Sequence, residues 1–535
     1  MEENLQGDRV CPGRTDGSEL RGADGLKALV IGVDSASPYL IQKWLGKLPN
    51  LRSIFENGVH GILQSIVPPE SVPAWQCFAT GKNPAKIGVY GFRYIGRDRR
   101  LRAGRTTPNL GCFWDYCSAA GQRVGVFNVP GTYPPYPVNG FMVSGFPVPT
   151  RSVWAYPKRI MRDIDREVGG YEIDVPVTNP TQMRGGERAY LAQVERLHMK
   201  CLEAAKLLIR SHQPDIFMIT FQGVDLVHHD FWRYMNDQNS PFRNVVQDWY
   251  VRMDEAIGEL RNFADSSTYT LVMSDHGSAP VSTSFFINKY LAANGLLIAK
   301  NHAKHKGETY TRLRSWVLRM LPPETIARIY KSTPNFISHK LTLSGTIERI
   351  LLNLVNNIDW ERTRAFSTGG HQAHIYVNTD SSEVTNDGEA KRCQVVRDII
   401  RLMSELSHPL TREKLRPVFH FREDCFKGPY EKEAPDVCVE LYSGEEKVQI
   451  NPKLGSGELW NSAPHFSSVH TREGFWGMCG PGISQGCSLD VKLVDLAPTL
   501  LSLLGLRIDT DFDGRALSEI LASENGLVRN VESTI

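Results

Sequence analysis

The chain alternates between short runs that are apolar at every position and longer stretches that are apolar only at helical intervals. Five runs are clear: Ala28 to Val33, Val124 to Val129, Ile216 to Phe221, Thr270 to Met273 and Val437 to Leu441. A strand with one wet face alternates apolar and polar residues, whereas a strand covered on both faces reads as an unbroken apolar run. From Gly185 to Ser211 the pattern changes: Tyr190, Leu191, Val194, Leu197, Cys201, Ala204, Ala205 and Leu208 fall on one face of a helix. Asp215 then opens the next strand. This alternation predicts an α/β fold with a mostly parallel central sheet and helices on both faces.

A different composition occupies the stretch from about Leu291 to Val355. Between Lys300 and Ile350 there are ten Lys or Arg and three acidic residues, Glu308, Glu324 and Glu348. Helix-like segments around Leu313 to Leu321 and Thr325 to Tyr330 are broken by Pro322 and Pro323, and Pro334 follows. The expected organisation is a polar leader over 1–25, a catalytic domain over 26–290 and 356–522, an inserted helical cap over 291–355, and a tail over 523–535. A second basic loop carries Arg93, Arg97, Arg99, Arg100, Arg102 and Arg105. Any one of these charges reads first as a solvated face, although either segment can meet an anionic substrate.

Bulk properties narrow the function classes. A chain of 535 residues can build a large sheet with insertions, and its net charge of +2 argues against a dedicated nucleic-acid binder. The ten cysteines show no CxxC pairs and no framework spacing, so a reducing, cytoplasmic location is expected. The leader has no apolar h-region, and no apolar run is long enough to span a membrane. Oligomeric state is not legible here.

Chemistry-bearing residues recur where the apolar runs end. Asp34 closes LKALVIGVD; Asp275 and His276 follow TYTLVM; Asp225 and His229 share GVDLVHHDFW. Open α/β sheets place their chemistry beyond the carboxyl ends of their strands. Asp225 and His229 stand four apart, so one helical face presents both, while His228 points about 100° away. Ser71 lies between Pro69 and Pro73, which restrict the backbone on either side. His470 is one of several C-terminal histidines, with His465 as a rival. Taken singly, Asp34 also reads as a helix cap and Ser71 as loop chemistry. Together the seven supply carboxylate, imidazole and hydroxyl donors for two adjacent ions, roughly 3.5–4 Å apart in enzymes that displace groups at phosphorus.

In order, VIGVDSAS, PPESVPAWQCFATGKNPAKIGVYGF, NVPGTYPP, VSGFPVP, GVDLVHHDFW, MSDHG, EAPDVCVEL, SSVHTREGFWGMCGPGI and VDLAPTLLSLLGL–DGRAL resemble the type I phosphodiesterase and nucleotide pyrophosphatase family of the alkaline phosphatase superfamily. The resemblance runs from about Lys27 to about Ile520. It implies an alkaline-phosphatase-like three-layer sandwich and a binuclear centre, usually zinc, with manganese as an alternative. One ion would take Asp34, Ser71, Asp275 and His276, and the other Asp225, His229 and His470. Ser71 falls at the family's nucleophile, implying a phospho- or nucleotidyl-enzyme that water then hydrolyses.

Two departures qualify the carry-over. Animal-type members follow the nucleophile with Pro-Asn-His, where this chain has Pro73-Ala74-Trp75. Asn128 in NVPGTYPP is the expected substitute contact to the phosphoryl oxygen, with a turn-forming role as its plain alternative. The stretch Asn83 to Gly88 lacks a His that often precedes Gly in relatives. His371 and His374 in STGGHQAHIYVN read as ordinary strand-end histidines and stay outside the metal set. The expected activity is hydrolysis of a small soluble phosphate ester. A phosphomonoesterase, a transferase to an alcohol acceptor and an inactive binding protein are the alternatives.

Overall fold

The computed structural model describes residues 25–522 except 97, 104–109, 150–151, 176–179, 181–184, 301–319, 321–324, 326–342, 379–385, 456, 463, 465 and 509. A ten-stranded sheet forms its centre, in the order Cys487–Ser488, Gly58–Gln64, Glu473–Cys479, Tyr269–Met273, Ala28–Val33, Ile216–Phe221, Val124–Val129, Gly140–Ser144 and Ala155–Tyr156, with Val491–Lys492 beside Gly58–Gln64. The middle strands are parallel: Ala28 registers with Ile216 on one side and Tyr269 on the other. Glu473–Cys479 runs antiparallel between Tyr269–Met273 and Gly58–Gln64.

The unbroken apolar run of Ala28–Val33 is explained by two cores. Leu29, Ile31 and Val33 enter one core with the helices Pro49–Glu56, Gly186–His212, Gly223–Phe231 and Val245–Arg261. Ala28 and Val30 enter the other, with Ser71–Thr80, Phe113–Ala119 and Leu496–Leu503. Side chains of successive strand residues point to opposite faces, so both faces are covered and the sandwich has three layers. Four of the five expected strands belong to this sheet, and the expected helix spans Gly186–His212.

The fifth run belongs to a second, eight-stranded sheet that the apolar pattern did not disclose. Its order is Ala365–Ser367, Ala373–Val377, Val437–Ser443, Glu446–Asn451, Gly277–Phe286 and Trp460–Asn461. Arg416–Phe421 pairs with Val437–Ser443, and Ser468–Thr471 with Gly277–Phe286. Helices Ile287–Ala293, Leu343–Asn357 and Asn386–Ser404 cover it, with Phe285, Leu291, Leu354, Ile375, Ile399 and Val439 in a separate core. Gly277–Phe286 starts directly after Asp275 and His276, so this sheet grows out of the carboxyl edge of the central one.

Most of the expected cap, along with the leader, the tail, Arg97 and Arg105, lies outside the described residues. Where the chain leaves and returns, Ala299 bridges antiparallel to Ile358, and the Lys300 N–H donates to Asn357 O at 2.8 Å. Among the described residues, no helix is long and apolar enough to cross a membrane.

Candidate active site

Asp34 stands one residue past its strand, where its N–H donates to Phe221 O at 2.9 Å and keeps the sheet register. Ser35 then takes a left-handed turn, φ 67°, and donates its N–H to Asp275 Oδ1 at 3.2 Å. Ser71 is the first residue of Ser71–Thr80. That helix is seated by Trp75, whose ring packs on Gly32 and whose Nε1 donates to Asp34 Oδ2 at 3.3 Å. Asp225 and His229 share the helix Gly223–Phe231, as their spacing predicts. His470 arrives from the far end of the chain: Ser468–Thr471 pairs with Gly277–Phe286 so that His470 registers with Ser278.

All seven expected ligands come together. Ser71 Oγ lies 3.2 Å from His276 Nε2 and 3.4 Å from Asp34 Oδ1. His276 Nε2 is 3.5 Å from Asp34 and 3.4 Å from Asp275. Beside this group, Asp225 Oδ1 is 3.3 Å from His229 Nε2 and 3.5 Å from His470 Nε2. The rings of His276 and His470 stack at 3.8 Å and join the two groups. Asp34, Asp275 and His276 form one set with metal-ligand spacing; Asp225, His276 and His470 form another; His229, His371 and His470 form a third.

The tautomers fit a cation. His276 Nδ1 donates to Gly277 O at 3.0 Å and His470 Nδ1 to Pro69 O at 3.0 Å, while His229 Nδ1 faces Ser468 O at 3.4 Å. Protons held on Nδ1 leave the Nε2 lone pairs aimed at the carboxylates and at one another, His470 Nε2 and His229 Nε2 being 3.4 Å apart. Lone pairs converging on carboxylates repel unless a positive ion sits among them, and carbonyls holding the remote nitrogen are the usual support of metal-binding imidazoles. The donor set is mixed oxygen and nitrogen, which suits zinc and also manganese.

Electrostatics carry the same message. Burial, then the charge of Asp225, pushes the Asp34 carboxyl well up; burial, then Asp34, does the same to Asp275. Burial also acts on Asp225, but positive charge and hydrogen bonds at the His229 and His470 positions more than offset it and hold that carboxyl well below its usual range, so this carboxylate favours a cation, proton or metal, beside it. Burial and then His470 keep His276 neutral. Buried carboxylates this costly to ionise alone would be stabilised by a divalent ion.

The remaining expectations land differently. Asn128 adopts φ 60° at an irregularity of its strand, and its Nδ2 donates to Thr220 O at 2.8 Å. As placed, its open amide atom is the acceptor Oδ1. His228 is fully enclosed between Trp232 and Tyr250, and burial lowers it to about 3, which agrees with a structural role. His465 lies outside the described residues. His374 is buried within Ala373–Val377, lowered to about 4 by burial, and its Nε2 is 3.9 Å from Glu70. Sequence reasoning passed over Glu70, which burial raises to about 7; its place directly before Ser71 was the available signal. It also set His371 aside, yet that ring lies against His470.

The family model for type I phosphodiesterase and nucleotide pyrophosphatase matches residues 28–416, well over half of the chain. The chain belongs to this family. It is therefore a hydrolase of phosphoric ester bonds, of the phosphodiesterase and nucleotide pyrophosphatase class. Six of the seven convergent residues fall within the matched span, and His470 lies beyond it. Among solved structures, human ectonucleotide pyrophosphatase/phosphodiesterase 5 is similar at 12% identity and a TM-score of 0.49, over 93% of this chain and 100% of that one. The murine protein is similar at 13% identity and a TM-score of 0.47, over the same shares. No curated protein matches the chain.

Proposed function

We propose that this protein is a two-metal phosphoesterase that cleaves a small soluble phosphodiester, nucleotide or sugar-nucleotide through an ester on Ser71. The observation that carries the reading is the convergence of three carboxylates and three Nε2 atoms in two adjoining groups, one of which touches the Ser71 hydroxyl. Asp34, Asp275, His276 and Ser71 would hold one ion; Asp225, His229 and His470 would hold the other. Bound there, the ions would make the Ser71 hydroxyl and water more acidic, and so better nucleophiles, and would neutralise charge on the phosphoryl oxygens.

The chain's own residues do the rest. Trp75 and the Ser35 N–H fix the orientation of Asp34 and Asp275. Ser71 opens a helix, where free backbone N–H groups and the helix dipole favour a phosphoryl group. In the first step Ser71 Oγ bonds to phosphorus and one ester oxygen departs with the P–O electron pair, taking up the proton that Ser71 gives up. In the second, water replaces Ser71 and restores its hydroxyl. Asn128 is left out of this chemistry, because its Nδ2 already serves Thr220 O and Cys201 Sγ. All nine described cysteines are free, which supports a cytoplasmic location.

Acid quenching during turnover of a chromogenic diester, followed by mass analysis, tests the ester. An adduct of the phosphoryl half on the peptide containing Ser71 is expected. An adduct on another residue, or none while turnover proceeds in a pre-steady-state burst, would contradict this route.

A further inference from the structure

The second sheet delivers one more imidazole to the site. His371 lies in the bend before Ala373–Val377, half-buried, with its ring parallel to that of His470 at 3.7 Å and 11°. It is 5.5 Å from the His229 ring and 6.2 Å from Phe466. One ring nitrogen from each of His229, His371 and His470 lies within 4.8 Å of the others.

Two observations separate His371 from the ligands. The Nδ1 atoms of His276 and His470 donate to backbone carbonyls, and that of His229 faces one. His371 Nδ1 is enclosed and has no hydrogen-bond partner among the described residues, so nothing fixes its ring as ligand rings are fixed. A fourth protein ligand beside Asp225, His229 and His470 would also close the position that a catalytic metal keeps open. The order along the stack then places it. His276 touches Ser71 at 3.2 Å, His470 stacks on His276, and His371 lies on His470. In-line displacement sets the departing oxygen opposite the attacking one, and a phosphoryl group seated along the stack from Ser71 would send its departing oxygen toward His371.

We propose that His371 is a catalytic residue that donates a hydrogen bond to the departing ester oxygen and is not a metal ligand; this rests on the reading of the site given above. As the P–O bond breaks, its electron pair stays on the leaving oxygen, and the His371 N–H hydrogen-bonds to that developing charge, keeping its own proton, until the proton given up by Ser71 neutralises it. The help matters most when the leaving alcohol is weakly acidic.

The test uses the metal-loaded full chain and its His371→Ala and His371→Asn variants, the asparagine amide nitrogen falling near the Nδ1 position. Metal per chain is measured first, then kcat/KM for aryl diesters whose phenols span a range of acidity. Expected are unchanged metal content, a loss of roughly 10- to 100-fold for the least acidic phenol, a small loss for nitrophenol, and partial recovery with asparagine. Loss of metal in His371→Ala would make His371 a ligand and overturn the proposal. An equal effect on all phenols, or none, would also overturn it while leaving the two-metal reading intact. A wild-type chain without metal or turnover would overturn both.

Discussion

Ser71 is the residue on which the chemistry turns, and it was also the least distinctive in the sequence. A serine between prolines is common, and only the company of Asp34 and His276 gives it meaning. Replacing Ser71 by Ala removes one oxygen from a buried position and leaves the carboxylates and imidazoles in place. We expect turnover to fall by on the order of 10³-fold or more, with metal content nearly unchanged by elemental analysis. Retained turnover would show that water attacks phosphorus directly. Asp34, Asp275, Asp225 and His229 could be read from the chain because strand ends and helical spacing are local properties. His371 could not, because its role depends on a bend in a second sheet packing against His470.

Elements decide how accurately those residues meet. The strand Ala28–Val33 and the helix Ser71–Thr80 touch through Gly32 and Trp75: a Cβ on Gly32 would lie 2.3 Å from the Trp75 ring. Gly32→Ala should therefore push the helix, and Ser71 with it, away from Asp34. Overpacking of this kind costs about 1–3 kcal/mol; denaturant melts should show it, with kcat falling more than KM rises. A variant with wild-type stability and kcat would mean that the seat is loose. The parallel strands were legible because burial on both faces leaves a continuous apolar run. Gly277–Phe286, GSAPVSTSFF, was not legible, since small and polar residues fill a strand whose pairing with Ser468–Thr471 lies far along the chain. That pairing is what places His470.

At the scale of the whole molecule, a buried charge pair within the second sheet braces the strand that carries His470. Lys447 Nζ pairs with Glu440 and donates to His470 O at 3.0 Å. Glu440 also accepts from His420 Nε2 and Tyr442 Oη, each at 2.8 Å. Burial would raise Glu440, but the His420 hydrogen bond and Lys447 more than offset it and hold the carboxyl far below its usual range. Burial keeps Lys447 below its own, with Arg472 adding to this and Glu440 and Glu473 opposing it. Glu440→Gln leaves a buried ammonium without its main counter-charge, a loss of about 3 kcal/mol. A depressed carboxyl contributes stability above its ordinary value of about 4.3 and loses it as pH falls toward the folded value. The gap between variant and wild type should be full at neutral pH and narrow below about pH 4. A gap independent of pH would place the effect in packing rather than charge.

The account as a whole stands on the two ions, and their measurement is the most direct test. Purified protein is analysed for metal, then assayed on a chromogenic diester and the matching monoester, with and without chelator. The prediction is about two divalent ions per chain, cleavage of the diester in preference to the monoester, and loss of cleavage on chelation with recovery when zinc or manganese is restored. A chain that binds no metal after either is supplied, or that cleaves the diester equally well in chelator, would contradict it.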